Sequence, residues 1–107
     1  MLVVNEATGR SLAKKLGNGR VCLLRGHGAV IATDNLKATV MVSIGLMFNA
    51  AMLIQAHTLS HGRGDAAVKH LSPAEIESTS KILLGPLGLD RAWEYWRLRA
   101  GFPTQDT

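Results

Sequence analysis

Apolar and polar positions along this chain alternate between helical and strand periods, and the switches between them divide it into elements. Leu12, Ala13 and Leu16 recur at spacings of three and four with Arg10, Lys14 and Lys15 between them, which predicts a short amphipathic helix over Gly9–Leu16, capped by Thr8 after an extended start. Gly17-Asn18-Gly19 ends that helix with residue types that tolerate left-handed backbone. Two short apolar runs follow, Val21–Leu24 and Ala29–Ala32, separated by Arg25-Gly26-His27-Gly28. Short β-branched and aliphatic runs around a glycine-bearing interruption read as strand, tight turn, strand, with His27 at the apex.

Thr33-Asp34-Asn35 then supplies helix-capping chemistry, and an apolar segment runs from Leu36 to about His61. As a helix it spans about 40 Å at 1.5 Å per residue. No charged residue or histidine occurs from Ala38 to Ala56, a length that falls within the range for crossing a bilayer. Thr39, Ser43 and Asn49 interrupt the stretch and no aromatic belt flanks it, so the reading preferred is a helix buried on several faces by its own sheet and by another subunit. Ala38, Gly45, Asn49 and Ala56 form a stripe that allows a neighbouring backbone to approach. Gly62–Asp65 reads as a loop. Ser72-Pro73-Ala74-Glu75 is a capping box with proline at the first helical position, and the helix it starts is expected to end near Gly85-Pro86. A last helix over Asp90–Ala100 places Trp93, Trp96 and Ala100 on one face, stops at Gly101, and leaves 102–107 as a frayed tail.

Composition narrows the class. With 107 residues, 47% of them hydrophobic and 19% charged, the chain suits one small domain with an aliphatic core. The formal charge of +4 comes from scattered basic residues, with no zinc-finger spacing or aromatic RNA-binding motif, so nucleic acid is not the expected partner. The single cysteine, Cys22, lies in an apolar strand and is read as a small buried residue. One cysteine and no signal peptide point to a cytoplasmic setting.

The candidate chemistry rests on histidines. His27 sits between two glycines, which leave the backbone free and let a ligand come close to the imidazole. It is a candidate metal ligand, and the competing reading is an exposed histidine in a glycine-rich hairpin. His57 and His61 stand four apart and share a face if both are helical, but the helix dipole accounts for cationic side chains in a last turn without any metal. His70 is isolated and expected at the surface.

The order of parts, with the Leu23–Val30 hairpin, Asn49-Ala50 and Gln55-Ala56 in the long helix, and Leu71-Ser72-Pro73-Ala74-Glu75, resembles the class II aldolase/adducin family over residues 9 to 101. The ending Arg91-Ala92-Trp93-Glu94-Tyr95-Trp96 with Arg99-Ala100-Gly101 is similar to the aromatic-acid decarboxylase branch. The resemblance implies an α/β fold, here a partial α/β/α domain made of a β-hairpin, one long helix and several short ones. It implies a divalent metal, usually zinc, held by three histidines, of which His27 matches the third. The other two form a His-x-His pair in an amino-terminal half that also carries the catalytic carboxylate, and no His-x-His occurs in this sequence. Family members often carry an acidic residue where Met47 aligns.

The expectation is therefore a single-domain fragment over 1–107. It would be the carboxy-terminal part of a metal-dependent carbon-carbon lyase acting on a small hydroxylated carbonyl or carboxylate compound by aldol cleavage or decarboxylation. The resemblance further implies a homo-oligomer, commonly a tetramer, and a role for Tyr95 at the active-site mouth. Neither membrane nor nucleic acid is an expected partner. The alternative is a non-catalytic piece, either a pseudoenzyme or an adducin-like interaction module.

Overall fold

The computed structural model describes residues 2–61, 63 and 68–103, and these combine helix and sheet: four helices and one antiparallel hairpin. The order is α1 (Glu6–Leu16), β1 (Val21–Leu24), β2 (Gly28–Ile31), α2 (Leu36–Leu59), α3 (Pro73–Leu83) and α4 (Pro86–Arg99). Val21 pairs with Ile31, Cys22 with Val30, Leu23 with Ala29 and Leu24 with Gly28. Helix α1 lies on β1, α2 touches β2 and packs along α4, and α3 meets α4 at a tight corner.

Local signals explain most of the boundaries. Helix α1 starts earlier than its periodicity suggests because Asn5, not Thr8, is the cap. The Asn5 side chain accepts from the Thr8 backbone N–H at 2.9 Å, and the Thr8 hydroxyl faces the Asn5 N–H at 3.3 Å to close a box. Asn35 caps α2 by accepting from Ala38 N–H at 2.9 Å. Helix α4 begins at Pro86, one turn before Asp90, since Gly85-Pro86 ends α3 and also opens the next helix with proline at its first position. At its far end Gly101, with φ 83°, donates to Leu98 O at 3.0 Å and Phe102 donates to Arg97 O at 3.1 Å, which is the Schellman pairing. Arg97 also donates to Pro103 O. Residues 104–107 lie outside the described ones, as do Gly62, Gly64 and Asp65 of the expected loop.

Ser72 and Glu75 form the capping box expected of α3, with Glu75 accepting from Ser72 N–H at 2.8 Å and from its hydroxyl at 2.7 Å. These two bonds, the side-chain one foremost, hold the Glu75 carboxyl below its ordinary value of 4.5. A carboxylate with a lowered folded pKa adds stability above its unfolded value, and that share is lost as pH falls through the folded value. Helicity of α3 is thus expected to decline in acid below about pH 4.5, and Glu75→Gln to remove that part of the decline. Helical circular dichroism titrated on both proteins checks it, and identical acid limbs would count against the cap.

Burial departs most from expectation. Only Ala38 and Leu89 are buried among the described residues, at 9% and 8% exposure. The accessible surface is 8757 Å², against about 5800 Å² for a closed monomer of this mass. The Cα radius of gyration, 16.7 Å, likewise exceeds the roughly 13 Å of a compact chain this long. Helix α2 is not buried on several faces within the chain: β2 and α4 shield its first half, while every residue from Met47 to Gln55 is exposed. The geometric reason is length, because 24 residues run about 36 Å whereas a four-residue strand covers only about 13 Å of it. Cys22 is half-buried rather than buried, since nothing among the described residues closes the sheet around it.

Candidate functional site

The hairpin loop is three residues long, Arg25-Gly26-His27, and its geometry follows from its glycines. His27 N–H donates to Leu24 O at 3.0 Å, closing a β-turn whose third residue, Gly26, has φ 80°. A positive φ at that position is the mark of a type II turn and selects glycine. Gly28, with φ 121°, then returns the chain to the ladder opposite Leu24. His27 is held between these two glycines with its side chain exposed, and among the described residues its imidazole makes no hydrogen bond. Its backbone is fixed by the turn and both strands. A groove of about 280 Å³ between α1 and the hairpin reaches this loop, lined by Thr8, Leu12, Cys22, Leu24 and Arg25 among others.

Tyr95 lies on α4 and is 51% exposed. Its ring stands edge-on to Trp96 at 5.0 Å between centroids. The Arg99 guanidinium lies 5.8 Å from both ring centroids and donates to the Tyr95 oxygen at 3.2 Å. No hydrogen bond or ring contact joins Tyr95 to His27 among the described residues. A second groove, about 310 Å³ and almost wholly apolar, lies on α4 between Val40, Trp93, Trp96, Arg97, Ala100 and Phe102. Sequence reasoning missed it; the signal was Gly101, whose left-handed turn folds Phe102 back over the helix end.

The remaining histidines do not assemble. His57 is in the last turn of α2, but the helix stops at Leu59 with Ser60 as its cap, and His61 takes a left-handed φ of 53°. The i, i+4 geometry that puts two side chains on one face therefore does not apply to this pair. His70 is exposed, as expected. Among the described residues no group of three His, Cys, Asp or Glu side chains is placed to hold a metal ion. A catalytic zinc takes about three protein ligands and an open position. His27 suits one of those places and the described residues supply no companions, so it fits a metal site as a contributor, not as the whole. No family model, curated protein or solved structure matches the chain.

Proposed function

We propose that this chain is the carboxy-terminal part of a divalent-metal-dependent carbon-carbon lyase of the class II aldolase/adducin type, with His27 as one zinc ligand and the other ligands supplied from outside these residues. The observation that carries the reading is the presentation of His27: a ring with no hydrogen-bond partner among the described residues, on a loop fixed by two strands and two positive-φ glycines. Among the described residues both hairpin strands also keep an unpaired edge, which suits a sheet continued by another segment. Bound zinc would supply Lewis-acid polarisation of the oxygens of a small hydroxylated carbonyl or carboxylate substrate. Tyr95 accepts from Arg99 and so keeps its own O–H free to donate to a substrate oxygen at the site mouth.

The direct test is the coding DNA upstream of Met1. An in-frame His-x-His with a nearby Glu or Asp supports the lyase. An upstream frame without them selects the second reading, a pseudoenzyme or interaction module, which the extent of uncovered apolar surface favours. In the completed protein Tyr95→Phe is expected to lower turnover at unchanged metal content. Unchanged turnover would assign Tyr95 to packing against Trp96 alone.

A further inference from the structure

The connection between α1 and β1, Gly17-Asn18-Gly19-Arg20, is exposed throughout and carries the one Asn-Gly pair in the sequence. In that pairing the side-chain amide carbon meets a following backbone nitrogen with no Cβ to obstruct it. We infer that Asn18 is a self-modification site: it converts with age to aspartate and isoaspartate, and the change shifts the seat of α1 on the hairpin. The Gly19 nitrogen bonds to Asn18 Cγ, and the side-chain amide nitrogen leaves as ammonia, carrying off the Gly19 proton and closing a cyclic imide. Water then opens the ring. Breaking the bond from the Gly19 nitrogen to Cγ gives aspartate, whereas breaking its bond to the main-chain carbonyl carbon gives isoaspartate, with the chain running through Cβ and Cγ. Water enters, ammonia leaves, and no oxidant takes part.

The fold singles Asn18 out from the other asparagines. Asn5 and Asn35 hold their side-chain oxygens on the N–H groups of Thr8 and Ala38, both at 2.9 Å, as helix caps. Asn49 lies inside α2, whose ladder engages the nitrogen that would attack. Glu6, Leu36 and Ala50, which follow these three, each carry a Cβ. Asn18 lies between helix and strand, and its side chain makes no hydrogen bond among the described residues. One contact restrains the reaction. Gly19 N–H donates to Leu16 O at 2.8 Å, so the nitrogen attacks only when the last turn of α1 opens. Helix ends open readily, and the bond therefore sets the pace without barring the step. The product adds a carboxylate to a chain of formal charge +4, beyond the end of α1, where negative charge is unfavourable. Asn18 also shares a cavity of about 390 Å³ with Asp34. Isoaspartate further adds a main-chain methylene to a connection pinned at both ends, by Gly17 N–H on Ala13 O at 2.9 Å and by Ala32 N–H on Arg20 O at 3.0 Å. The contact of α1 with β1 must adjust, and with it the groove that Leu12 and Cys22 line.

The reaction needs neither metal nor substrate, so its fate is separate from that of the lyase reading. The test is to hold the 107-residue chain warm in mildly alkaline buffer and digest it with trypsin. Cleavage after Lys15 and Arg20 releases Leu16–Arg20, in which Asn18 is the only side-chain amide. Chromatography and mass are expected to show aspartate and isoaspartate forms of that peptide at least tenfold above conversion at Asn5, Asn35 or Asn49. Guanidinium, which removes the bond to Leu16 O, should speed the conversion severalfold. Asn18→Gln should leave the peptide unconverted, because the larger ring closes far more slowly. On ageing, Cys22 of the unsubstituted chain should become at least twofold more reactive toward a maleimide, and Cys22 of Asn18→Gln should not. Each aged protein is compared with its own fresh sample, which removes any effect of the glutamine on folding. No conversion at Asn18, equal conversion at all four asparagines, a rate no faster in guanidinium, or Cys22 reactivity that ageing leaves unchanged in the converted chain would each overturn the proposal.

Discussion

In a protein that joins this chain to a segment bearing His-x-His and a carboxylate, His27→Ala is expected to abolish stoichiometric zinc and turnover while leaving the circular dichroism unchanged. The two halves of that expectation have separate causes. His27 is exposed and its imidazole bonds to nothing among the described residues, so its removal falls in the class of surface changes worth no more than about 0.5 kcal/mol. The turn is held by the backbone of Leu24 and His27 and by glycine φ angles, none of which alanine alters. Losing one of three ligands, however, is expected to weaken zinc by more than the 10- to 100-fold that follows loss of a group merely supporting a ligand. The 107-residue chain alone should bind zinc weakly or not at all. Metal analysis on both proteins decides the matter, and full occupancy in the completed His27→Ala protein would make His27 a plain hairpin histidine.

Gly88→Ala is expected to cost the largest share of stability of any glycine-to-alanine change among the described residues. A Cβ on Gly88 would meet the carbonyl oxygens of Ile82 and Leu83, the latter at 2.8 Å, and these are backbone atoms that cannot swing aside. Gly85 is similarly close, with Lys81 O at 2.7 Å. Relieving the clash means opening the α3–α4 corner, which moves Leu89, one of the two buried residues, and with it the contact of Trp96 with Phe48 at 6.4 Å. Overpacking of a close contact costs roughly 1–3 kcal/mol, and this corner has no slack to share it. Near-ultraviolet dichroism from Trp93 and Trp96 and the denaturant midpoint report the loss. An unchanged midpoint would show that α3 is not docked as described.

The elements were legible where a boundary rests on residues next to it. The hairpin, the Asn35 cap of α2 and the Ser72–Glu75 box follow from side chains within three or four positions. The errors arose where one residue had two readings. Thr8 has the chemistry of a cap, and only the position of Asn5 shows that it is the returning partner. Pro86 forbids continuation of α3 and also opens α4. His61 continues a four-residue spacing that the cap at Ser60 has already ended. Of the candidate site, sequence conveyed the exposed loop around His27, because glycines at fixed offsets dictate a turn. It did not convey how little of α2 this chain covers, since apolar periodicity records a wish for burial and not who satisfies it. Nor did it convey the groove under Phe102, which depends on a chain reversal.

A long-range tie in the fold is the contact of α2 with α4, marked by Lys37 Nζ at 2.5 Å from Asp90 Oδ1, two residues 53 apart in sequence. Being exposed, that ion pair is worth at most about 1 kcal/mol, so its meaning is temporal rather than energetic. At about 5–20 residues per second, a ribosome needs roughly 3–10 s to pass from one partner to the other. During that interval α1 and the hairpin, whose contacts are local, are free to form, while α2 has emerged with no α4 to shield even its first half. A nascent helix whose Ala38–Ala56 stretch carries no charge is a substrate for whatever binds apolar segments at the exit tunnel. Substitutions that slow docking of α4 will therefore show first in the yield of soluble chain and only afterwards in the melting of the product.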